Sequence, residues 1–507
     1  MSRWDRREDS PRLPLLPGPV SNGEFIPDHA SSDDLMLARE TISRASDLAR
    51  KLAMDRRRFL QSAGGMAVLL SVLNFAGCGA APKKASASKQ GGRFRVPNPH
   101  DLPECQAALG SQGEFIFDGH THHVMPQDSW VQNAPDTVQL VLGMLPTACS
   151  ATNRLDCVNR AAYIQDVFLG SDTTVALLTD VPNSGPANAP IPFNDAVDTQ
   201  NLVAQLAHGG APRLLLHDVI APNFGALAAN LDDMSAKAAT GHLAAFKVYT
   251  AWGPNGRGYS LDDPSLGLPV VQRASEVGVR VICGHKGLPL INFDASHNGP
   301  RDMVAVAKQF PDMQFVVFHG AWDPNHPEGP YDPANASIGI NSLLRAMDDY
   351  GLAPNSNIWA DLGTVWRVVL GKPDQAAHVL GKLLSRVGED RVLWGTDAIW
   401  YGSPQPQIMA FRAFEITPQF QETYGYPELT SQRKLKVLGL NGASLFGLNA
   451  AATRCILQSD PISGAKAEHD QLVDEGAVGS PWRPKGALTR NQMLGWLASS
   501  ASPWTPA

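Results

Sequence analysis

From Phe115 onward the chain alternates short apolar runs, rich in β-branched and aromatic residues, with stretches of helical periodicity. The runs are Phe115–Thr121, Thr174–Asp180, Arg213–Val219, Leu243–Thr250, Arg280–Lys286, Gln314–Gly320, Asn357–Leu362 and Arg391–Asp397. Helical patterns lie between them at Ala226–Ala239, Pro269–Val277, Arg301–Phe310, Ile340–Tyr350 and Asp374–Val387. Strands joined through helices pair in parallel, because a parallel neighbour needs a long crossover. Eight such units are the pattern of an α/β fold of the (β/α)8, or TIM-barrel, type.

In such a barrel the C-terminal ends of the strands carry the chemistry. Here polar side chains collect there: His120 and His122, Asp180, Asp218, Lys247, His285, His319, Asp361 and Asp397. Burying so many without partners is costly, so a purely structural barrel has no reason to place them there. The first run ends Asp118-Gly-His-Thr-His-His123, and alternation along a strand points His120 and His122 to the same side. Taken alone this pair reads as two histidines at an exposed strand end; the later strands make it half of a chelate.

The residues before the barrel read as three pieces. Residues 1–53 form a leader: Met1 to about His29 lacks periodicity and reads as disordered, whereas Leu35, Ala38, Ile42, Ala45, Ala49 and Leu52 follow the cap-like Ser31 with helical spacing. A solvated helix is the plain reading, contact with a partner or a membrane surface the other. Residues 54–78 hold Arg56-Arg57-Arg58-Phe59-Leu60, then an uncharged stretch containing Met66–Leu73, too short for a comfortable membrane span. This resembles a twin-arginine export signal, and Phe75-Ala-Gly-Cys78 resembles a lipoprotein processing box. The resemblance implies recognition by the twin-arginine machinery, a periplasmic or cell-surface location and a lipid anchor at Cys78. Residues 79–112 then read as a linker that begins as a flexible tether.

Of the six cysteines, the anchor would consume one, and an odd remainder is not a disulfide framework. Cys149 and Cys157 are close enough in sequence to bridge, with unpaired buried thiols the default. A net charge of -7 leaves no basic footprint, which argues against nucleic acid as a partner.

The motifs His120-Thr-His122, Cys283-Gly-His285, Phe318-His319-Gly320 and Trp394-Gly-Thr-Asp397 together resemble the amidohydrolase superfamily. Within it they are similar to the amidohydrolase-related group that includes aminocarboxymuconate semialdehyde decarboxylase, resorcylate decarboxylases and assorted lactone and amide hydrolases. Lys434–Leu448 looks like that group's closing helix, so the barrel domain is expected over residues 113–449, with an extension over 450–507. The resemblance implies that His120, His122, His285 and Asp397 hold a divalent metal, most simply one zinc. It also implies proton-transfer roles for His319 and Asp397. Lys247, ending the fourth strand, occupies the position where binuclear relatives carry a carbamylated lysine bridging two metals; one metal is the preferred expectation.

Other polar residues have plainer readings. His123 points away from the pair, His217 reads as a hydrogen-bonded core residue, His326 as a surface loop residue, and Asp361 as a group orienting a neighbour. Substrate contacts would come from loops past the strands, with Arg257, Tyr259, Trp322 and Arg367 as candidates beside Lys286, Trp400 and Tyr401. The function expected is hydrolysis of a small-molecule amide, ester or lactone by metal-activated water. Nonoxidative decarboxylation of an aromatic or enoic acid uses the same ligands and is the alternative; a catalytically retired exported binding lipoprotein stands third. A homodimer is the oligomeric expectation.

Overall fold

The computed structural model describes residues 13–76, 90–144, 152–208, 210–288, 293–457, 460–475 and 489–499. Its centre is one parallel sheet of eight strands in sequence order: β1 (Phe117–Thr121), β2 (Val175–Leu178), β3 (Leu214–Ile220), β4 (Leu243–Val248), β5 (Val281–His285), β6 (Gln314–Phe318), β7 (Ile358–Asp361) and β8 (Val392–Leu393). Each expected run holds one of them, β3 reaching one residue past its run to Ile220. The ring closes through a parallel bridge between Thr121 and Ala398, with the Gly119 amide donating to the Trp394 carbonyl at 2.9 Å and the Asp397 amide to the His120 carbonyl at 2.9 Å. The five expected helices are present at Leu227–Ala239, Gly267–Glu276, Arg301–Gln309, Gly339–Tyr350 and Pro373–Lys382.

Alternation fills the barrel. Ala245, Val281, Cys283, Val316, Phe318, Trp359 and Leu393 form one cluster with Leu445 and Phe446 from the segment that follows β8. Continuing the period of two carries Lys247, His285 and Asp361 to the same side, one layer nearer the strands' C-terminal ends. On β1 the parity changes. Phe117 stacks on Phe446 with ring centroids 5.4 Å apart, yet His120, three residues on, shares the layer of Asp361. A register slip against β2 between Asp118 and Thr121 absorbs the extra residue.

The leader departs from expectation. Residues 13–29 are ordered, and Leu13, Leu15, Val20, Asn22, Glu24 and Phe25 are buried. Missing periodicity implies disorder by sequence, but an irregular strap seated on a preformed surface needs no period; residues 1–12 of that stretch lie outside the described residues. Helix α1 (Ser32–Lys51) begins with the Ser31/Asp34 capping box and buries Leu37, Thr41, Ala45, Leu48 and Ala49. Its apolar stripe is therefore rotated from the expected one, with Leu35 and Met36 exposed.

Helix α2 (Ala63–Ala76) carries the stretch read as an export signal. Met66–Leu70, Val72 and Leu73 are buried against α1 and the helices Leu102–Leu109 and Gln405–Ala413. A helix apolar all round suits a protein interior as well as a bilayer. Each fully buried Leu or Val contributes about 1.5–3 kcal/mol. Among the described residues no helix is long and apolar enough to cross a membrane. Cys78, most of the tether and Cys149 lie outside the described residues. From Gln90 the chain is seated on the barrel, and Gly92–Phe94 pairs antiparallel with Phe414–Ile416. Cys157 is disulfide-bonded, which corrects the unpaired default for that residue; Cys105 and Cys283 are free and buried, Cys455 free and exposed.

Candidate metal centre

Two groups of side chains converge at the barrel mouth, His120 with His122 and Asp397, and His120 with His319 and Asp361. Within each group the candidate ligand atoms lie within 4.8 Å of one another, and all five residues are buried.

The geometry of His122 tells most about what belongs there. Its Nδ1 stands 2.8 Å from the Thr179 carbonyl oxygen, an atom that can only accept, so Nδ1 carries the proton. A neutral ring then turns the Nε2 lone pair towards Asp397 Oδ1, 3.2 Å away, and His120 Nε2 lies 3.6 Å from the same oxygen. Lone pairs facing a carboxylate at this range require a cation between them, either protons or a metal ion. Two imidazoles and a carboxylate are a donor set that suits zinc and other borderline divalent ions.

Surrounding groups hold this set in place. Asp361 Oδ2 lies 3.4 Å from His120 Nδ1, while its carboxylate accepts from the amides of His319 at 2.7 Å and Gly363 at 3.0 Å. Thr364 Oγ1 donates to Asp397 Oδ2 at 2.5 Å. His319 is one residue beyond the inward-facing Phe318. A left-handed φ of 60° at His319 turns it back towards the mouth, where Nδ1 meets the Gly363 carbonyl at 2.9 Å and Nε2 meets His285 Nδ1 at 3.2 Å. Ala321, Thr364 and Asp397 also have positive φ. Such conformations cost about 1–3 kcal/mol each and gather at functional sites.

His285 stands beside His319 rather than in either converging group; its Nε2 meets the Leu288 carbonyl at 2.9 Å. Lys247 is fully buried, with Nζ 3.1 Å from the Phe318 ring centroid and no hydrogen-bond partner. Burial pushes its ammonium down to about 7. Burial likewise holds the imidazoles of His120 and His285 well below their usual range and lowers that of His319. At Asp397, burial raises the carboxyl, but the field of His120 and the contact with His122 prevail and hold it below the ordinary carboxylate range.

The expected substrate contacts divide. Trp322 and Arg367 are buried at the mouth, whereas Arg257 is exposed on its loop. Tyr259 is buried beside the ion pair of Lys286 and Asp302, 2.7 Å long, which removes Lys286 from the rim as well. Asp218 pairs with Lys237 at 2.8 Å, and Asp180 is held by the amides of Val181 and Ile191, so neither joins the converging groups. His217 is bonded to Thr179 and to Cys283 Sγ at 3.2 Å, His123 to Thr199 at 3.0 Å, and His326 is exposed beside Asp323 at 2.8 Å, each in its plain reading. Sequence reasoning missed Asn22, whose amide donates to Asp397 Oδ2 at 2.8 Å, and Glu24, which accepts from that amide at 2.7 Å.

A (β/α)8 barrel with histidines and carboxylates converging at its mouth defines a class of metal-site barrel proteins. The family model described as Amidohydrolase matches residues 171–448, more than half of the chain, and the protein belongs to that family. The match begins just before β2, so the His120/His122 pair lies outside it. Among solved structures the chain is similar to an uncharacterized TIM-barrel protein of Bordetella bronchiseptica (15% identity, TM-score 0.39, covering 67% of this chain and 99% of that one). It is also similar to 2,6-dihydroxybenzoate decarboxylase from Rhizobium (14%, TM-score 0.36, 66% and 99%). A third is a dihydroxybenzoic acid decarboxylase from Polaromonas sp. JS666 with bound manganese and the inhibitor 2-nitroresorcinol (13%, TM-score 0.39, 66% and 98%). No curated protein matches the chain.

Proposed function

We propose that the protein is a metal-dependent hydrolase acting on an amide, ester or lactone. The observation that carries the reading is the convergence of His120, His122 and Asp397, with the Nδ1 proton of His122 fixed on the Thr179 carbonyl. These three residues would hold the ion, with His285, one ring away across His319, proposed as the fourth ligand. A divalent metal bound there, for which zinc is our choice, supplies Lewis-acid polarisation and a water acidic enough to act near neutral pH.

The chain's own groups divide the remaining work. Asp361 orients the His120 ring, as carboxylates behind metal-ligating histidines do. Thr364 fixes the Asp397 carboxylate, leaving its other oxygen towards the histidines. His319, kept neutral by burial and held through Nδ1, can accept or return a proton at Nε2 beside the reacting carbonyl. Lys247, within the same layer, is proposed as a cation for substrate rather than a carbamate bridging two metals. Export by the twin-arginine route and a lipid anchor at Cys78 are our proposal for location, carried by the arginine and cysteine motifs alone; processing at Cys78 would remove the residues before it, the segment 13–29 included.

The test is elemental analysis of the full chain and of its His120→Ala and Lys247→Ala variants, followed by assay on a panel of carbonyl substrates. About one zinc per chain, lost in His120→Ala and kept in Lys247→Ala, with hydrolysis of a panel member, is the expected result. Two metals that fall with Lys247→Ala would replace the one-metal reading. Carbon dioxide release from an aromatic or enoic acid without water uptake would transfer the assignment to decarboxylation. Metal without turnover on any substrate would leave a binding protein.

A further inference from the structure

The residues that should meet a substrate are already engaged, and their partner is the strap 13–29. At its tip Ser21 Oγ accepts from the Gly23 amide at 2.9 Å, and Asn22 Oδ1 accepts from the Glu24 amide at 3.1 Å. Gly23 has a φ of 106°, which a side chain would resist. This tight turn drives the Asn22 amide onto Asp397 Oδ2 at 2.8 Å and within 3.3 Å of Thr364 Oγ1. The Glu24 carboxylate follows it into the mouth and feels the charges of both Asp397 and Lys247.

The flanks of the turn use the rest of the rim. Phe25 meets Trp322 edge to face with centroids 5.9 Å apart, Arg367 donates to the Leu16 carbonyl at 3.4 Å, and Val20 packs on Tyr401. Two of the four side chains that sequence reasoning assigned to substrate are therefore seated on this segment. With it in place His120, His122, His285, His319 and Asp397 are each at most 3% exposed among the described residues. Active-site pockets of this kind ordinarily hold several hundred Å³, roughly 300 or more.

We propose that residues 13–29 are a tethered plug, whose tip Ser21–Phe25 occupies the substrate's place and must withdraw or be removed before the site can turn over. The inference rests on the reading of the mouth as the active site. The strap is built to leave: it is irregular, it adds no strand to the barrel sheet, and the exposed irregular residues 28–30 separate it from α1. A groove lined by Pro19, Pro27, Pro324, His326 and Lys372 runs between it and the rim. The occupant also describes its replacement. A primary amide on Asp397 with a carboxylate close behind it is the outline of a small acidic amide.

Two full-chain variants test this. In one, a protease recognition sequence at residues 28–30 allows residues before it to be cut away while α1 and α2 remain. In the other, Val20→Asp unseats the strap without touching the proposed ligands. Labelling by diethyl pyrocarbonate, read residue by residue by peptide mass spectrometry, reports access and needs neither metal nor substrate. Release of the strap should raise labelling of His120, His122 and His319 at least tenfold, leave exposed His208 unchanged, and leave buried His217 protected. Metal, where the intact chain holds it, should be retained and should exchange with a chelator at least tenfold faster. Unchanged labelling of the site histidines, or labelling that rises together with His217, would overturn the plug. Loss of metal along with the strap would overturn it in favour of Asn22 or Glu24 as a ligand. An intact chain that binds no metal sinks the hydrolase reading, while the labelling result still decides the strap.

Discussion

Asp361 Oδ2 lies 3.4 Å from His120 Nδ1, and both side chains are buried, so little water reaches either to substitute for the other. A histidine ligand is useful only when its ring cannot turn, and this carboxylate, close to Nδ1 though not hydrogen-bonded to it, is the charge placed to steady the ring. Asp361→Asn keeps the size and an acceptor for the His319 amide but removes the charge behind the ring. Metal affinity is expected to fall roughly 10–100-fold, the usual effect of losing such a partner. Competition titration against a chromophoric chelator measures it, and affinity equal to wild type would remove Asp361 from the site.

The glycine of Trp394-Gly-Thr-Asp397 is required by the same carboxylate. A Cβ at Gly395 would lie 2.0 Å from Asp361 Oδ2 and 2.9 Å from His120 Cβ. Neither can retreat, since Asp361 is fixed by two backbone amides. Gly395→Ala is expected to abolish metal binding and lower stability by about 1–3 kcal/mol, the cost of overpacking a dense interior. Urea denaturation and metal analysis of one preparation read both. Tight metal binding with unchanged stability would show that the cradle yields.

The barrel was legible because its signals are local. A period of two marks each strand, and the polar residue one step past Ala245, Cys283 or Trp359 (Lys247, His285 or Asp361) lands at the mouth by alternation alone. His319 was found by motif but not placed by period, because its left-handed backbone breaks the alternation. Asp361 was legible as an orienting group by its position on β7. Asn22 was not: Ser21-Asn-Gly announces a turn, but nothing near it in sequence names a destination 375 residues away. The arginine-led apolar stretch at 56–76 fits an export signal by composition, and the same composition suits the buried helix Ala63–Ala76. Arg257 stands on a glycine-rich loop as a lid residue would, yet it points to water because its neighbours are pinned, Gly258 by Asp294 and the Trp252 carbonyl by Asn223.

The tail is fastened by one buried fork. Arg213 Nε and Nη2 donate to Asp460 at 2.6 and 2.8 Å, joining the start of β3 to the helix Pro461–Asp474, and both side chains are about 6% exposed or less. Asp460→Asn retains a cap for that helix but leaves the guanidinium without its counter-charge. Stability should fall by roughly 3–5 kcal/mol, as when one partner of a buried pair is removed. Chemical denaturation gives the value, and limited proteolysis should cut the tail first. A loss below about 1 kcal/mol would mean that water reaches the pair.

Acid sensitivity should arise in part away from the mouth. His378 is packed among Phe420, Tyr424 and Tyr426, with Nδ1 2.9 Å from the Tyr426 hydroxyl. Burial, aided by the charge of Lys382, pushes its imidazole down from 6.5 to about 4. The fold therefore favours the neutral ring, and between these two values the unfolded chain binds the proton that the folded chain refuses. Stability from this residue is complete above about pH 6.5 and is lost progressively as the pH falls towards 4. His378→Gln can keep a bond to Tyr426 and cannot titrate. Its deficit against wild type, measured by urea denaturation, should be largest at pH 7 and should shrink or reverse at pH 5. A deficit equal at both values would mean that the ring is already solvated in the native state.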